Sequence, residues 1–272
     1  MLKTRVATAL VLLAVLLAVA YSQSFLFFAL VAGAFFAAAA WESFRIFKSP
    51  YPLAGALIWT GVFAFMLWRG DFQAATLLFG LCTAIWAIRL APALALGLPS
   101  LDGIGNRLLS GIYGIALLGC FVAIIVLFRQ SPLYLLSVMA IVWVADIGAY
   151  FAGKAFGKRK LAPSISPGKS WEGAIGGWIA VLLFAAAVTA TPALVDTFMP
   201  RVHERAGWIG LLLVMTVLTI ASVVGDLFES QLKRRAGIKD SSNLLPGHGG
   251  VLDRIDALIP TLPLAVLIDA WL

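Results

Sequence analysis

Strongly apolar segments of about 20 residues recur along the whole chain, a length that matches the hydrocarbon core of a bilayer. A helix rises about 1.5 Å per residue, so roughly 20 residues cross a core about 30 Å thick. Of the 272 residues, 62% are hydrophobic and only 12% are charged, whereas a soluble domain carries about a quarter charged residues. The sequence therefore predicts an all-α, polytopic integral membrane protein, with residues 1–272 forming one membrane domain.

Nine segments qualify as transmembrane helices, and the first two of them are short. They are Val6–Tyr21, Ser24–Trp41, Pro52–Trp68, Phe72–Ile88, Leu109–Phe128, Leu133–Ala152, Gly173–Ala190, Trp208–Phe228 and Ile255–Leu272. Basic residues collect in short cytoplasmic loops and thereby predict the orientation. With the N-terminus in the cytoplasm and the C-terminus outside, only Arg69, Arg129, Arg201 and Arg205 of the 20 Lys and Arg residues lie outside.

Two alternatives concern the first segments. Lys3 and Arg5 precede an apolar run that ends in Ala18-Val19-Ala20, which is typical of a cleaved signal peptide. Cleavage would invert the remaining spans and move most basic residues outside, so we disfavour it. The first two segments could also form a shallow hairpin, which would leave later loops on the same side.

The scarce Cys and His residues exclude several kinds of site. Cys82 and Cys120 lie in apolar segments and form no CxxC pair, so neither a disulfide framework nor a zinc site is predicted. His203 and His248 are too few for a multi-histidine metal centre. The net charge of +7 is typical of loops that face anionic lipid, and we expect no nucleic-acid partner.

Carboxylates concentrate in or beside two predicted cytoplasmic loops, where they are costly unless paired or bound to a cation. The first loop follows Asp146 and is rich in Lys, Ser and Gly, which suits an anionic phosphate. Gly168-Lys169-Ser170 resembles the end of a P-loop, but Pro163 stands where the leading glycine is required, so we exclude that motif. A merely cationic membrane-surface loop is the alternative interpretation.

The second loop joins the last two predicted spans. On a helix, Asp226 shares a face with Glu229 and Ser230, and Asp253 and Asp256 repeat the i,i+3 spacing. Such oxygen ligands suit Mg²⁺, which usually bridges carboxylates and substrate phosphates. The glycines at 247, 249 and 250 allow close approach of an anion to the backbone. Tight turns and helix caps are the structural alternative.

These residues resemble the signature of the phosphatidate cytidylyltransferase family. The match covers Ser230, Lys233, Arg234, Lys239, Asp240, Ser242, Leu245, Pro246, His248, Gly249, Gly250, Asp253, Arg254 and Asp256. It extends to Gly225, Asp226, Leu227 and Glu229, and in the first loop to Asp146, Ala149, Tyr150, Gly153, Lys154, Ser166, Pro167, Lys169, Trp171, Glu172 and Gly173. The resemblance thus covers residues 131–272, the catalytic helices and loops, whereas helices within 1–130 are similar in hydropathy only.

The resemblance implies a Mg²⁺-dependent transfer of the cytidylyl group from CTP to phosphatidic acid, giving CDP-diacylglycerol and pyrophosphate. It also implies a bacterial-type inner-membrane enzyme whose active site faces the cytoplasm, contact with membrane lipids, and a homodimer. Metal ions would be held by Asp226, Asp253 and Asp256, with Asp146 as a weaker candidate, and a second cation could be monovalent, such as K⁺.

The candidate site residues divide by expected role. The catalytic candidates are Asp226, Asp253, Asp256, Lys239 and Arg254. The substrate-binding candidates are Ser166, Lys169, Ser170, Glu172, Ser230, Lys233, Arg234, His248, Gly249 and Gly250. A phosphate nucleophile is already ionised at neutral pH, so we expect His248 to organise the loop or contact phosphate instead of acting as a general base.

Two other functions stay open at this point. The chain could transfer a cytidylyl group to another membrane-borne lipid phosphate, because the sequence does not define the lipid pocket. It could instead be a non-catalytic transporter that binds lipid or nucleotide, although no internal repeat with paired broken helices is evident. A CDP-alcohol phosphotransferase is disfavoured because its spaced aspartate motif does not occur.

Overall fold

The computed structural model describes residues 24–70 and 73–272, together with residues 8, 10, 11, 14, 15, 18, 19, 21 and 22. The first predicted span, Val6–Tyr21, therefore lies largely outside the described residues. The described helices are α1 (Phe25–Ile46), α2 (Pro52–Arg69), α3 (Gln73–Ile85), α4 (Ala91–Leu96), α5 (Ile104–Gln130), α6 (Pro132–Phe156), α7 (Trp171–Thr189), α8 (Phe198–Arg235), α9 (Leu252–Ile255) and α10 (Leu258–Trp271).

Seven helices in the described ranges are long and apolar enough to cross a membrane, counting α3 and α4 as one span joined by a π-helical turn at Trp86–Leu90. The predicted all-α polytopic fold is confirmed. The second span, expected to be short, is a 22-residue helix whose N-cap Ser24 accepts a hydrogen bond from the amide of Phe27. Glu42 and Ser43 lower the hydropathy after Trp41, which is why the predicted span ends there. In the structure both residues are buried within the protein, and the helix continues past them to Ile46.

The last predicted span, Ile255–Leu272, is shorter than expected. Its helical part, α10, has 14 residues, which extend about 21 Å. The chain forms the separate turn α9 first and then begins a new helix at Leu258. Pro260 falls in the first turn of α10, where the missing N–H of proline is tolerated.

The penultimate span is longer than predicted. Whereas the sequence predicts Trp208–Phe228, α8 has 38 residues and contains a break at Gly207, where φ is +66°. Glycine adopts this left-handed conformation without the steric cost of a Cβ. The break separates residues 198–206 from the long membrane-spanning part of α8.

Small residues let α6 and α7 approach closely. A Cβ placed on Gly148 would lie 2.6 Å from the Cβ of Ala180, and one on Gly177 would lie 2.5 Å from the carbonyl oxygen of Ala145. Close backbone approach is a common way for membrane helices to associate, because lipid provides little hydrophobic driving force between them. These glycines therefore fix two helices that carry part of the candidate site.

A short β-hairpin connects α6 to α7. Its strands, β1 (Lys160–Ala162) and β2 (Ser166–Ser170), pair in antiparallel register with Lys160 opposite Ser170 and Ala162 opposite Ser166. The sequence predicts a loop here, because a three-residue strand beside Pro163 and Pro167 leaves no periodic pattern. The hairpin carries much of the first polar loop, including Lys169.

The helix α5 is the most buried of the described spans. Phe121 packs edge-on against Phe36 of α1 and Phe63 of α2. Tyr113 of the same helix contacts Phe228 of α8, with ring centroids 5.6 Å apart. Through α5, the N-terminal helices are thus packed directly behind the helix that carries Asp226.

Candidate active site

A pocket of about 410 Å³ opens between α6, α7, α8 and the β-hairpin. Its lining includes the polar residues Asp146, Lys154, Lys169, Ser170 and Asp226. Most of the remaining lining residues are small or apolar, among them Ala145, Ala149, Leu161, Gly173, Ala174, Gly177 and Val223. A cavity with charged and apolar walls suits a ligand that is itself amphiphilic.

The two polar loops meet at Lys169 and Asp226. The Lys169 Nζ lies 2.6 Å from the Asp226 Oδ2, with the two side chains 28% and 27% exposed. Lys169 is at the end of the hairpin, and Asp226 is on α8. The structure therefore brings together two residues that the sequence analysis assigned to separate clusters, and both remain accessible to a ligand.

The hairpin is held by the first turn of α7. A Glu172 carboxylate oxygen accepts hydrogen bonds from the amides of Lys158 (3.0 Å) and Arg159 (3.1 Å), and its other oxygen accepts one from the Arg159 side chain. Ser170 caps α7 by accepting a hydrogen bond from the amide of Gly173. Glu172 was predicted to bind substrate, but in this structure its carboxylate is used to hold the base of the hairpin.

The acidic residues of α8 do not all face the pocket. Asp226 lines it, and Ser230 donates a 3.4 Å hydrogen bond to Asp226 as the i,i+4 spacing predicts. Glu229 is fully buried and forms an ion pair with Lys233. Positions i and i+3 differ by about 60° around a helix, and here this rotation turns Glu229 away from the pocket.

Asp253 lies at the centre of a second network. Its Oδ1 is 2.5 Å from the Lys233 Nζ, and its Oδ2 accepts hydrogen bonds from the amides of Ser241 and Gly250 and from the Ser241 hydroxyl. Burial raises the pKa of Asp253, but the hydrogen bonds from Lys233 and Gly250 outweigh it and leave the pKa below its usual value. Asp253 is thus held ionised.

Asp256 lies beside Asp226. A Cβ on Gly225 would be 2.5 Å from the Asp256 carbonyl oxygen, so α8 touches the backbone between α9 and α10. The charge of Asp226 interacts with those of both Asp256 and Asp146. One Asp256 oxygen accepts a 2.8 Å hydrogen bond from the amide of Ala257.

These acids supply the oxygen ligands that Mg²⁺ prefers, but they do not form a preassembled metal site. Within residues 24–70 and 73–272, no three His, Cys, Asp or Glu side chains converge as metal ligands. Asp146 and Asp226 fit a cation best by position because both line the pocket, although a cation at Asp226 would share that carboxylate with Lys169. A cation at Asp253 would have to displace Lys233, because both Asp253 oxygens are engaged.

The remaining phosphate-binding candidates lie outside the pocket wall. Arg254 is exposed and donates a 2.6 Å hydrogen bond to the His248 carbonyl oxygen. Arg234 and Lys239 are also exposed. The buried Nδ1 of His248 has no hydrogen-bond partner in the described part of the chain. Of the predicted substrate-binding residues, only Lys169 and Ser170 line this pocket.

Sequence reasoning missed Glu42 on α1. Its side chain is fully buried and accepts hydrogen bonds from the Ser241 and Ser242 hydroxyls and from the amides of Val251 and Leu252. The signal was available, because a lone carboxylate in an apolar helix is costly and is a functional candidate by default. Glu42 lies outside the C-terminal half, where the other candidate carboxylates concentrate.

Comparison with known proteins extends the resemblance from residues 131–272 to nearly the whole chain. A model of the cytidylyltransferase family matches residues 3–271. The phosphatidate cytidylyltransferase of Pseudomonas aeruginosa is 42% identical, covering 97% of this chain and 95% of that protein. The enzyme of the same name from Haemophilus influenzae is 39% identical, over 97% and 96% of the two chains. That of Bacillus subtilis is 31% identical over 60% of this chain and 56% of its own.

Proposed function

This chain belongs to the cytidylyltransferase family, and on that premise we propose that it transfers the cytidylyl group of CTP to phosphatidic acid. The products are CDP-diacylglycerol and pyrophosphate. Relatives that match almost the full length of the chain carry the name phosphatidate cytidylyltransferase. The pocket is lined by Asp226 and by residues of the first loop that belong to the family resemblance, which supports the same activity here.

The observation that carries the proposal is the contact between Lys169 and Asp226 in a pocket lined by both charged and apolar residues. Phosphatidic acid is amphiphilic, so its phosphate fits beside Lys154 and Lys169 while its glycerol and acyl groups fit against the apolar lining residues. Lysine ammonium groups act as point charges on phosphate. The pocket thus offers complementary chemistry to both parts of the lipid.

The reaction requires positioning and charge neutralisation. An oxygen of the lipid phosphate forms a bond to the α-phosphorus of CTP while the bond from that phosphorus to the oxygen bridging to the β-phosphate breaks. That oxygen leaves with the β- and γ-phosphates as pyrophosphate. Phosphoryl-group transfers of this kind depend mainly on in-line alignment and on compensating charge. The attacking phosphate is already ionised at neutral pH, so no protein group has to remove a proton from it.

Individual residues of the pocket have distinct parts in this scheme. Lys169 neutralises phosphate charge once its contact with Asp226 is exchanged for one with substrate. Glu172 and Ser170 keep the hairpin, and therefore Lys169, at the pocket rim. Mg²⁺, when bound, would neutralise the triphosphate, and Asp226 with Asp146 and Asp256 beside it would hold it.

We further propose that the pocket faces the cytoplasm of a bacterial-type inner membrane. The exposed residues Lys158, Arg159 and Lys160 lie at the hairpin beside the pocket. Short loops rich in Lys and Arg remain on the cytoplasmic side. CTP would then reach the charged residues of the pocket from the cytoplasm, and phosphatidic acid would reach them from the bilayer.

An assay with the purified full-length chain in detergent tests the function. With Mg²⁺, labelled CTP and phosphatidic acid, we expect labelled CDP-diacylglycerol and an equal amount of pyrophosphate. Asp226→Asn should lower the rate by about a hundredfold or more, as loss of a transition-state charge contact does. The matched control, Asp196→Asn, changes an exposed carboxylate beyond the far end of α7 and should retain activity.

Other outcomes would overturn the proposal. A product formed only when another membrane-borne phosphate, such as a phosphorylated isoprenoid, replaces phosphatidic acid would indicate a different lipid substrate. Uptake or binding of nucleotide without pyrophosphate release would indicate a transporter. Full activity in Asp226→Asn would exclude the role given to this carboxylate.

A further inference from the structure

Glu42 joins the N-terminal half of the chain to the loop that carries the family signature. It lies near the end of α1, is 0% exposed, and has no ion pair with Lys or Arg within the ranges that the structure describes. A buried carboxylate without a counter-ion is costly unless hydrogen bonds stabilise it. The contacts of Glu42 therefore have to compensate for its burial.

The two carboxylate oxygens of Glu42 have the same kinds of partner. Oε1 accepts from the Ser242 hydroxyl and from the amide of Val251 at 3.0 Å, and Oε2 accepts from the Ser241 hydroxyl at 3.2 Å and from the amide of Leu252 at 2.6 Å. Each oxygen thus lies within hydrogen-bond distance of one hydroxyl and one backbone N–H, and the single proton of the Ser241 hydroxyl is shared between Glu42 and Asp253. A single side chain closes the loop 241–252 at both of its ends.

The same contacts lead to the signature acid Asp253. The Ser241 hydroxyl lies within hydrogen-bond distance of both Glu42 and Asp253, 2.9 Å from the latter. Asp253 also contacts Lys233, which is two helical turns after Asp226 on the same side of α8. The order of contacts is therefore Glu42, Ser241, Asp253 and Lys233, which ends on the helix that lines the pocket.

The loop leaves no space for a side chain at positions 249 and 250. A Cβ on Gly250 would collide with Glu42 and with the Ser241 hydroxyl, and a Cβ on Gly249 would lie 2.6 Å from the Asp253 Oδ2. Gly249 also has a φ of +83°, which glycine adopts most readily. The loop thus fits closely around the two carboxylates.

We infer that Glu42 is a positioning residue, which fixes the loop 241–252 and through Ser241 sets the location of Asp253 and Asp256 relative to Asp226. The inference rests on the proposed cytidylyl transfer. Glu42 itself does not touch the pocket, so its effect on the reaction is indirect. Groups that orient a catalytic site in this way typically change the rate by tenfold to a hundredfold when they are replaced.

Glu42→Gln is the sharpest variant because it preserves shape. Whichever way the amide turns, its NH₂ group faces the N–H of Val251 or Leu252, so one backbone donor loses its acceptor. We expect kcat to fall about tenfold to a hundredfold while KM for CTP and for phosphatidic acid changes by less than about threefold. Glu42→Asp retains the charge and should recover part of kcat. The control Glu204→Gln changes an exposed carboxylate and should leave both parameters unaltered.

A double variant distinguishes positioning from general destabilisation. If Glu42 acts through Ser241, kcat of Glu42→Gln with Ser241→Ala should be close to that of the worse single variant, because changes within one network are not additive. If Glu42→Gln does not fold, the combination of Ser241→Ala and Ser242→Ala removes the hydroxyl contacts and should also reduce kcat about tenfold. Wild-type kcat in either folded variant, or multiplied losses in the double variant, would overturn the inference.

Hydrogen exchange gives a readout that needs no activity. Amides of residues 241–252 should exchange at least about tenfold faster in Glu42→Gln than in the wild type, while amides of α6 exchange at the same rate. Unchanged exchange in 241–252 would overturn the positioning role even if phosphatidic acid proved to be the wrong substrate. An inactive wild type with faster exchange in the variant would instead contradict only the proposed function.

Discussion

The Lys169 Nζ lies 2.6 Å from the Asp226 Oδ2 and joins the β-hairpin to α8 across the mouth of the pocket. Both side chains are a little over one quarter exposed, so water weakens their attraction. A ligand phosphate can therefore compete for the ammonium group at moderate cost. This contact is better suited to exchange during binding than to stabilisation of the fold.

Replacement of Lys169 by Met should lower kcat/KM about a hundredfold or more, because a charge that neutralises phosphate is removed. The melting temperature should change little, since the ion pair is partly exposed. Lys158→Met removes the same charge from the same hairpin at an exposed position and should lower kcat/KM less than about threefold. Steady-state kinetics of both variants tests this, and equal losses would mean that only the overall charge of the hairpin matters.

Lys233 should be important for stability. It lies between the buried carboxylates of Glu229 and Asp253 and is itself 12% exposed. Lys233→Met leaves two buried acids without their counter-ion, and loss of one partner from a buried pair typically costs about 3–5 kcal/mol. We expect a clear decrease in the melting temperature in detergent.

A second substitution tests the cause of that decrease. Glu229→Gln in the Lys233→Met background removes one of the unpaired charges, so part of the lost stability should return. If the double variant is less stable than Lys233→Met alone, the loss arises from packing and the electrostatic explanation is wrong.

Local sequence patterns predicted the helices and the contacts between residues that are close together in the chain. Hydropathy located α1 to α3 and α5 to α8, because each of these spans is a continuous run of apolar residues. The fourth predicted span, Phe72–Ile88, ended before α4, which extends it to Leu96. Helical spacing predicted the contact between Asp226 and Ser230, found at 3.4 Å. It did not predict that Glu229 would pair with Lys233, because the orientation of the Glu229 side chain depends on how α8 packs against the loop after it.

Local sequence patterns could not predict contacts between residues that are far apart in the chain. Glu42 is 199 residues from Ser241 along the chain, and only the packing of α1 against α9 brings them together. The pairing of Lys169 with Asp226 depends in the same way on the close approach of α6, α7 and α8. The sequence supplied the candidate acids and lysines, but the assignment of partners required the three-dimensional arrangement.

The contacts of Glu172 predict a difference between two ways of disturbing the hairpin. Glu172→Ala removes the acceptor for two backbone amides as well as for the Arg159 side chain. Arg159→Gln removes only the side-chain contact, which is exposed. We expect faster proteolysis within residues 157–170 and a higher KM for the first variant, with much smaller changes for the second. Equal protease sensitivity of the two variants would show that the backbone contacts do not hold the hairpin.

Close packing of α6 against α7 predicts a large effect from one added methyl group. In Gly148→Ala, the new Cβ would lie 2.6 Å from the Cβ of Ala180 and 3.1 Å from the Cα of Gly177, so the two helices must move apart. Overpacking of this kind typically costs about 1–3 kcal/mol. In the matched variant Gly111→Ala on α5, the Cβ meets nothing within 4 Å, and the higher helix propensity of Ala should leave stability equal or slightly increased. Thermal unfolding of both variants in detergent measures the difference, and equal melting temperatures would mean that α6 and α7 are not held at this separation.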